Sequence, residues 1–310
     1  MRKTCLDMVY ELAKQDPRIF FIGSDLGVGT LAKFGTEMPG RFLMEGVSEA
    51  NVIGMAAGLA LEGKIVYVNT IATFITRRCF EQVALDLCLH RTRVRLIGNG
   101  GGLVYAPLGP THLAIEDIAI LRALPNMTVL APADAQEMKR LMPATVEHPG
   151  PLYIRLAKGG DPIVAPDVPF RIGAVYPMRA GGDALIITTG VTLQAALEAA
   201  DRLRGEGLAA GVIHVPTVKP LDVETILAHA ADVPAIVTVE EHTVVGGLGS
   251  AVAEAIAEAN FDTPKRFRRL GIPDVFAKHY GSQASLMDGY GLNADGVAGA
   301  VRMLCEKRDR

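Results

Sequence analysis

The sequence predicts an α/β protein with two domains, each a mainly parallel sheet flanked by helices. Three observations lead to this prediction. Helical patterns alternate with short β-rich runs along most of the chain, which is typical of parallel sheets covered by helices. The chain has 310 residues, and 49% of them are hydrophobic, which is enough for two cores. The alternation stops only between residues 158 and 183, where Gly, Pro and isolated apolar residues dominate.

The elements of the first half follow one another in regular order. Its strands are short apolar or β-branched runs at residues 18–22, 65–69, 94–97, 127–130 and 152–156. The helices between them show apolar residues at helical spacing and cover residues 5–14, 77–90 and 115–124, with two more that begin at Glu49 and after Asp134.

The same alternation resumes in the second half. The predicted strands cover residues 184–188, 211–215, 235–239 and 267–270, and the helices cover residues 193–204, 223–231 and 294–305, with one more after Gly249. A Gly- and Pro-rich break is typical of a linker. We therefore predict a first domain over residues 1–165, a linker over 166–182 and a second domain over 183–310.

Composition and charge exclude several classes of function. The net charge of −3 gives no electrostatic case for nucleic acid binding. No apolar run is long enough to span a membrane, and the first residues lack the apolar core of a signal peptide. The four cysteines lack the spacing of a metal or redox site. We therefore expect a cytoplasmic protein that binds neither nucleic acid nor membranes.

The helix that begins at Glu49 has two unusual features. Ser48 stands at the position of an N-cap, which places the Glu49 carboxylate in the first turn, where the helix dipole favours negative charge. Gly54 and Gly58 recur one turn apart in line with Ala50, although each glycine costs a helix about 1 kcal/mol relative to Ala. Such a smooth ridge predicts close packing against another backbone. From the residues alone, Glu49 is equally well explained as an ordinary helix cap.

Three segments of the chain resemble the transketolase family. They are Gly46-Val-Ser-Glu49-Ala-Asn with the Gly-rich helix that follows it, Gly109-Pro-Thr-His112, and Ala123-Leu-Pro-Asn-Met-Thr-Val-Leu-Ala-Pro-Ala-Asp134. The resemblance runs from about Arg2 to the C-terminus and corresponds to the second half of a full-length transketolase. It implies a pyrimidine-binding domain for thiamine diphosphate, followed by a transketolase C-terminal domain.

The resemblance assigns roles around the pyrimidine ring of the cofactor. Glu49 matches the glutamate that shares a proton with a ring nitrogen, a task suited to a carboxyl group in an apolar pocket. Phe74 and Phe80 match aromatic residues around the ring, whereas Arg77 stands where the family has another aromatic. Without the resemblance, both phenylalanines are ordinary core residues. Asp25 is expected to shape the cofactor end of the site, and an Asp that caps a turn after a strand explains it equally well.

The resemblance also implies a site for a phosphorylated sugar. His112 matches a histidine that contacts the substrate oxygen near the reactive carbon. Lys158 and Arg2 match phosphate-binding arginines, and Arg155 is a further basic candidate; a Lys keeps the charge of an Arg but loses its bidentate fork. Asn99 lies in the loop where the family has another histidine.

Leu108 departs from the family at a position that concerns the substrate. Classical transketolases have an acidic residue four places before the histidine of Gly-Pro-Thr-His, where it reads a sugar hydroxyl, and this chain has Leu108 there. Without a polar side chain at this position, the site discriminates less strongly between substrates that have this hydroxyl and substrates that lack it. We therefore expect an unusual ketose phosphate or a related compound as substrate.

The sequence lacks one half of the cofactor site that the resemblance implies. The family holds the diphosphate through Mg²⁺, bound by a Gly-Asp-Gly motif and a downstream Asn, and no such segment occurs in the 310 residues. We expect a diphosphate-binding N-terminal transketolase subunit to supply that half and most of the Mg²⁺ ligands. The expected assembly is a heterotetramer of two chains of each kind, and the chain alone is expected to be inactive.

The predicted function is therefore that of the C-terminal subunit of a split transketolase, which transfers a two-carbon ketol unit between ketose and aldose phosphates. Two alternatives within the same class are a 1-deoxyxylulose-5-phosphate synthase-like enzyme and the beta chain of a 2-oxoacid dehydrogenase. Two others lie outside it: a catalytically silent chain that binds partners, and a nucleotide-binding protein that uses the glycine-rich turn at residues 246–249.

Overall fold

The computed structural model describes residues 1–24, 29 and 31–306. The strands of the first half are β1 (Ile19–Gly23), β2 (Phe42–Met44), β3 (Ile65–Ile71), β4 (Val94–Asn99), β5 (Thr128–Leu130) and β6 (Leu152–Leu156). Its α-helices are α1 (Arg2–Gln15), α2 (Ala32–Glu37), α3 (Glu49–Leu61), α4 (Ala72–Thr76), α5 (Phe80–Gln82), α6 (Asp117–Arg122) and α7 (Ala135–Val146). Short 3₁₀ helices cover Pro39–Arg41 and Ala106–Leu108, and a π-helical segment covers Val83–Leu89.

The second half has its own set of strands and helices. The strands are β7 (Tyr176–Arg179), β8 (Ala184–Thr188), β9 (Ala210–His214), β10 (Thr217–Lys219), β11 (Ala235–Thr243) and β12 (Arg266–Ile272). The helices are α8 (Thr192–Gly205), α9 (Val223–Ala231), α10 (Leu248–Glu258), α11 (Gln283–Gly289) and α12 (Ala294–Glu306). Among the described residues, none of the helices is long and apolar enough to cross a membrane.

The strands form two mainly parallel sheets, as the sequence predicts. The first sheet has the order β10-β5-β6-β4-β3-β1-β2, and the second has the order β12-β11-β8-β9-β7. All pairings in the first sheet are parallel except that of β10 with β5, and all in the second are parallel except that of β7 with β9. Most of the central strands are buried on both faces, because helices cover both sides of a parallel sheet. The predicted fold class is confirmed.

Two strands depart from the predicted organisation. Strand β7 lies inside the predicted linker, residues 166–182, and pairs with the second sheet. Strand β10 comes from the second half of the chain but completes the first sheet through its pairing with β5. The two halves are thus joined by a shared sheet edge and by a common hydrophobic cluster, which includes Val129 of β5, Ile187 of β8 and Ile236 of β11.

The predicted helix over residues 77–90 begins later than expected. Residues 77–79 form an irregular turn after α4, and the helical part starts with α5 and continues through the π-helical segment to Leu89. The turn places Arg77 and Arg78 between two helical pieces, so that their side chains leave the backbone in different directions and meet different partners. This break shapes the candidate site.

Candidate active site

Glu49 is the first residue of α3, at the carboxyl end of the first sheet. Its side chain is only 3% exposed, although it lies in the first turn of a helix. Ser48 occupies the N-cap position, but its hydroxyl donates to the backbone oxygen of Glu45 at 3.0 Å and caps no amide of α3. The Glu49 carboxylate is therefore buried in the first turn of α3, the position that the sequence predicts.

Arg78 forms an ion pair with the Glu49 carboxylate. Its Nη1 lies 2.7 Å from Oε2 of Glu49, and its guanidinium carbon lies 4.2 Å from the centroid of the Phe74 ring. One planar cation thus contacts both the carboxylate and the aromatic face. Sequence reasoning did not single out Arg78, because nothing in the sequence distinguishes it from Arg77.

The Cys79 thiol, next in the sequence to Arg78, is buried. Desolvation, together with the nearby charge of Glu49, raises the pKa of Cys79 to about 12. The Sγ atom donates to the backbone oxygen of Ile75 at 3.1 Å. Cys79 is therefore an unreactive core thiol and supplies no nucleophile to the site.

His112 reaches the same place from the loop that follows the 3₁₀ helix Ala106–Leu108. Its ring meets the Phe74 ring edge-on, with centroids 5.3 Å apart and an interplanar angle of 64°. Its Nδ1 lies 2.8 Å from the hydroxyl of Thr111. Gly109 opens the loop with a positive φ of 74°, a conformation that suits glycine. The structure thus brings together Glu49, Phe74 and His112.

Arg77 supports the loop that carries His112. Its Nε lies 2.8 Å from Oε1 of Glu116, and its Nη2 donates to the backbone oxygen of Thr111 at 3.4 Å. Burial raises the pKa of Glu116, while the charge of Arg77 acts in the opposite direction. Arg77 therefore gives the His112 loop an ionic support.

The other two predicted cofactor residues do not join this group. Phe80 begins α5 and is half-buried against the hydrophobic cluster shared by the two sheets. Asp25 lies outside the described residues. Both assignments stay predictions.

Two predicted substrate residues, Arg2 and Lys158, line one cavity of about 280 Å³. Arg2 begins α1, and Lys158 follows β6 by two residues. Neither side chain makes an ion pair or a hydrogen bond with the described residues. The rest of the lining is mostly apolar and consists of Gly100, Val104, Tyr105, Pro107, Leu108 and Ala157. Two free cations next to an apolar wall are suited to an anionic group on a carbon skeleton.

Arg155, the third basic candidate, is engaged inside the protein. Its side chain is 7% exposed, and its Nε lies 2.8 Å from the carboxylate of Asp117. Its Nη2 donates to the backbone oxygens of Glu241 at 2.8 Å and Ala114 at 3.2 Å. Asp117 also accepts a hydrogen bond of 2.6 Å from the hydroxyl of Tyr153. The guanidinium therefore joins β6, α6 and β11, the last from the second half of the chain.

Asn99, at the end of β4, is also buried. Its amide nitrogen donates to the side-chain oxygen of Asn69 at 2.6 Å and to the backbone oxygen of Thr70 at 3.2 Å. Its own Oδ1 is buried and has no partner among the described residues. Asn99 thus orders the carboxyl ends of β3 and β4, the edge at which ligands bind in open α/β sheets.

Backbone amides that follow the glycine-rich turn, at the start of α10, already donate hydrogen bonds to a carboxylate of this chain. Glu240 accepts hydrogen bonds from the amides of Leu248 at 2.7 Å and Gly249 at 2.8 Å. His242 is buried between the two halves, where its Nε2 accepts from the amide of Ala119 at 3.2 Å. The amides that would bind a nucleotide phosphate are therefore occupied, which argues against the nucleotide-binding alternative.

Comparison with known protein families decides the family. The transketolase pyrimidine-binding domain matches residues 1–160, and the transketolase C-terminal domain matches residues 173–297. The chain belongs to the transketolase family. Transketolases depend on thiamine diphosphate.

Several members of the transketolase family are similar along the whole chain. The 6-deoxy-6-sulfo-D-fructose transketolase subunit SqwH of Clostridium sp. (strain MSTE9) is 37% identical, over 100% of this chain and 95% of its own. An apulose-4-phosphate transketolase subunit of Phocaeicola vulgatus is 37% identical, over 96% of this chain and 94% of its own. A 1-deoxy-D-xylulose-5-phosphate synthase of Synechococcus sp. is 36% identical over 96% of this chain but only 46% of that enzyme.

Solved structures show the same relationship. A split gene transketolase, solved as an inactive beta4 tetramer, superposes with a TM-score of 0.89 at 37% identity and covers 98% of both chains. The R525L mutant of the transketolase from Pichia stipitis superposes with a TM-score of 0.78 at 20% identity, over 99% of this chain and 46% of the other. The second likeness concerns the fold alone.

The residues around Glu49 fit the pyrimidine ring of thiamine diphosphate. The planar guanidinium of Arg78 hydrogen-bonds to the buried carboxylate and stacks over Phe74, so a flat group with a hydrogen-bonding edge can contact both at once. Within the described residues, no group of three or more His, Cys, Asp or Glu side chains could hold a metal ion.

Proposed function

We propose that this chain is the C-terminal subunit of a split, thiamine diphosphate-dependent transketolase, which transfers a two-carbon ketol unit from a ketose to an aldose. The observation that carries the proposal is the buried Glu49 carboxylate beside the Phe74 ring, with His112 against the edge of that ring. Thiamine diphosphate would supply the electron sink for cleavage and formation of the carbon–carbon bond.

Each of these three side chains has a separate task. Glu49 shares a proton with a nitrogen of the pyrimidine ring, and its side chain is almost fully buried where it does so. Phe74 provides a flat apolar wall. His112, held by Thr111 and supported through Arg77, hydrogen-bonds to the substrate oxygen near the reacting carbon.

The cavity beside Arg2 and Lys158 is assigned to the anionic end of the sugar. Their free charges would pair with a phosphate or a comparable anion, since charge-assisted hydrogen bonds are among the strong ones. Leu108, which lines the cavity and is half exposed, presents no polar group to a sugar hydroxyl. Arg155 is not part of this assignment, because Asp117 already neutralises it.

A second, diphosphate-binding subunit is proposed to complete the site and to hold Mg²⁺. This chain has no Gly-Asp-Gly motif, and the ridge of α3 is open: a Cβ built on Gly54 or Gly58 meets no atom within 4 Å. Leu61 on the same helix and Leu85 and Leu89 on the π-helical segment are exposed beside it. We assign this apolar face to subunit contacts within a heterotetramer.

One observation favours an alternative, the reaction of a 1-deoxyxylulose-5-phosphate synthase-like enzyme. The similarity to a 1-deoxy-D-xylulose-5-phosphate synthase, at 36% identity, covers 96% of this chain and therefore both of its family matches. The donor in that case would be pyruvate instead of a ketose. A donor panel that includes pyruvate separates the two reactions.

The proposal is tested by reconstitution. The chain is mixed with a candidate partner that carries Gly-Asp-Gly and a downstream Asn, with thiamine diphosphate and Mg²⁺, and turnover is measured with ketose phosphates, a sulfonated ketose and pyruvate as donors. Transfer from a ketose that requires both chains supports the proposal. Turnover only with pyruvate supports the alternative, and a complex that binds the cofactor but turns over no donor contradicts both.

A further inference from the structure

A loop over residues 103–113 carries two parts of the proposed donor site. Its first half lines the cavity beside Lys158, and its last part carries His112. The loop residues in the cavity wall are Val104, Tyr105, Pro107 and Leu108. The loop is closed at its base, where Gly102 and Ala114 exchange backbone hydrogen bonds of 2.9 and 3.1 Å. The position of this base therefore determines where both parts of the site lie.

Strand β11, from the second half of the chain, binds both ends of this loop. The backbone amide of Leu103 donates to Oε1 of Glu241 at 2.7 Å. Just beyond the other end, the amide of Thr243 donates to the backbone oxygen of Ile115 at 2.7 Å. The carboxyl end of one strand of the second sheet therefore fixes the loop at its first residue and next to its last.

The Glu241 carboxylate is packed directly on the base of the loop. The residue is only 2% exposed, and Nε2 of Gln283 donates to the same Oε1 atom at 2.9 Å. Gly102 has a positive φ of 65°, and a Cβ built on it would lie 2.5 Å from Cδ of Glu241. The absence of a side chain at this glycine thus permits the close approach of the carboxylate.

The segment that leads to Gln283 also contacts the loop from outside. Gly109 lies between the 3₁₀ helix and His112, and a Cβ built on it would lie 2.6 Å from Cε1 of Tyr280. The Tyr280 side chain is otherwise exposed to solvent. The second half of the chain therefore contacts the loop at its base, through Glu241, and at its surface.

We propose that Glu241 is a positioning residue for the donor substrate, which acts by fixing the loop over residues 103–113 through the Leu103 amide. Glu241 is not among the residues that line the cavity beside Lys158, and the described lining comes entirely from the first half of the chain. Its effect on the donor therefore passes through the loop. This inference rests on the proposed function, because it takes the cavity and His112 as the donor site.

Hydrogen exchange of the full chain measures the contact between Glu241 and the loop, without partner or cofactor. Glu241→Ala removes the acceptor of the Leu103 amide, so we expect the peptide over residues 103–113 to exchange about tenfold faster. Glu241→Gln keeps an acceptor oxygen in the same place and should exchange as wild type does. Glu240→Ala is the matched control, because Glu240 is the preceding residue of β11, equally buried, and accepts amide hydrogen bonds from the start of α10 instead.

Donor kinetics of the reconstituted complex measure the positioning itself. For Glu241→Ala we expect the KM of a ketose phosphate donor to rise and kcat to fall, each by about tenfold, because a small misplacement of a site can cost about 10²-fold in rate. The affinity for thiamine diphosphate should stay within a factor of about three. Glu241→Gln should restore both kinetic constants. Glu240→Ala should at most reduce the amount of folded enzyme, which lowers the apparent kcat and leaves KM unchanged.

Two results would overturn the inference. The first is unchanged exchange of the loop in Glu241→Ala, and the second is faster exchange with an unchanged KM. If Glu241→Ala does not fold, Gln283→Met replaces it, because methionine keeps the length of this half-buried side chain but cannot donate to Glu241. We then expect changes of about threefold in the same directions, and loop exchange or a KM equal to that of wild type would overturn the inference.

Failure of the proposed function gives a different result. If the wild-type complex turns over pyruvate but no ketose, the proposed function is wrong, while the same comparison of Glu241→Ala with Glu241→Gln, made with pyruvate, still decides the inference. If the wild-type complex turns over no donor, the proposed function and the role of Glu241 toward a donor both fail. Hydrogen exchange then decides separately whether Glu241 fixes the loop.

Discussion

The Nε atom of Arg155 lies 2.8 Å from the carboxylate of Asp117, and both side chains are buried where the two halves of the chain meet. The same guanidinium reaches the backbone of Glu241 in β11, and the same carboxylate accepts from Tyr153. Removal of one partner from a buried ion pair leaves an unpaired charge, at a cost of about 3–5 kcal/mol. The hydrogen bond from Arg155 to Glu241 connects this pair to the second half of the chain.

Arg155→Met should destabilise the chain by about 3 kcal/mol, because Asp117 would lose its buried ion-pair partner. Urea unfolding of the chain alone measures this loss, with Arg93→Met as the surface control. An unchanged unfolding midpoint together with a raised KM for the anionic donor would instead assign Arg155 to the substrate.

Lys158→Ala and Arg2→Ala should each raise the KM for an anionic donor by roughly tenfold and leave kcat within a factor of about three, since a charge-assisted hydrogen bond to the remote end of a substrate contributes about 1.5–3 kcal/mol. Initial rates of the reconstituted enzyme check this. Lys3→Ala is the matched control, because Lys3 lies on α1 but pairs with Asp7 at 2.6 Å. A KM that stays unchanged in both variants would remove the cavity from the substrate site.

Glu241 should make stability depend on pH. Burial raises its pKa to about 7, and the charge of Arg155 only partly opposes this. Between the lower pKa of the unfolded chain and pH 7 the folded chain holds the extra proton, so the free energy of unfolding falls as the pH rises through this window.

Glu241→Gln removes this titration. The stability of the variant relative to wild type should therefore rise from pH 4.5 to pH 8 by up to about 3 kcal/mol. Urea unfolding at several pH values measures it, with the exposed Glu258→Gln as control. Parallel curves for wild type and Glu241→Gln would show that Glu241 does not titrate in this range.

Substitutions of Gly58 should affect assembly with the partner subunit and folding of the chain differently. A Cβ at this position meets no atom within 4 Å, so Gly58→Ala should stabilise the chain alone by up to about 1 kcal/mol. Gly58→Leu should fold but fail to assemble with the partner in sedimentation velocity, because it disrupts a close backbone contact. Gly299→Leu on α12, where a Cβ also meets no atom within 4 Å, is the control. Normal assembly of Gly58→Leu would show that the ridge faces solvent.

The sequence predicted the central strands and many helices closely. The strands Leu152–Leu156 and Ala184–Thr188 and the helix Val223–Ala231 occur with the predicted bounds. Strands buried on both faces read as short apolar runs between turn residues, which is a strong local signal. Strands β7 and β10 were missed because they are short, pair antiparallel at sheet edges and, for β10, depend on a partner in the other half of the chain.

The candidate site was predictable only in part for a similar reason. Glu49, Phe74 and His112 could be found because they lie in motifs of the family, and the structure brings them together. Arg78 was missed because the break between α4 and α5 decides which of two adjacent arginines faces Glu49. The engagement of Arg155 was missed because Asp117 lies 38 residues away in the sequence.

The most direct test of the account is the turnover of Glu49→Gln in the reconstituted enzyme, measured beside Glu45→Gln, whose carboxyl group is exposed four residues earlier. Glutamine keeps the shape of Glu49 but has no proton to share, so we expect kcat to fall by roughly 10²–10⁴-fold. Thiamine diphosphate should still bind, and Glu45→Gln should behave as wild type. A Glu49→Gln enzyme with kcat within a factor of about three of wild type would contradict the account.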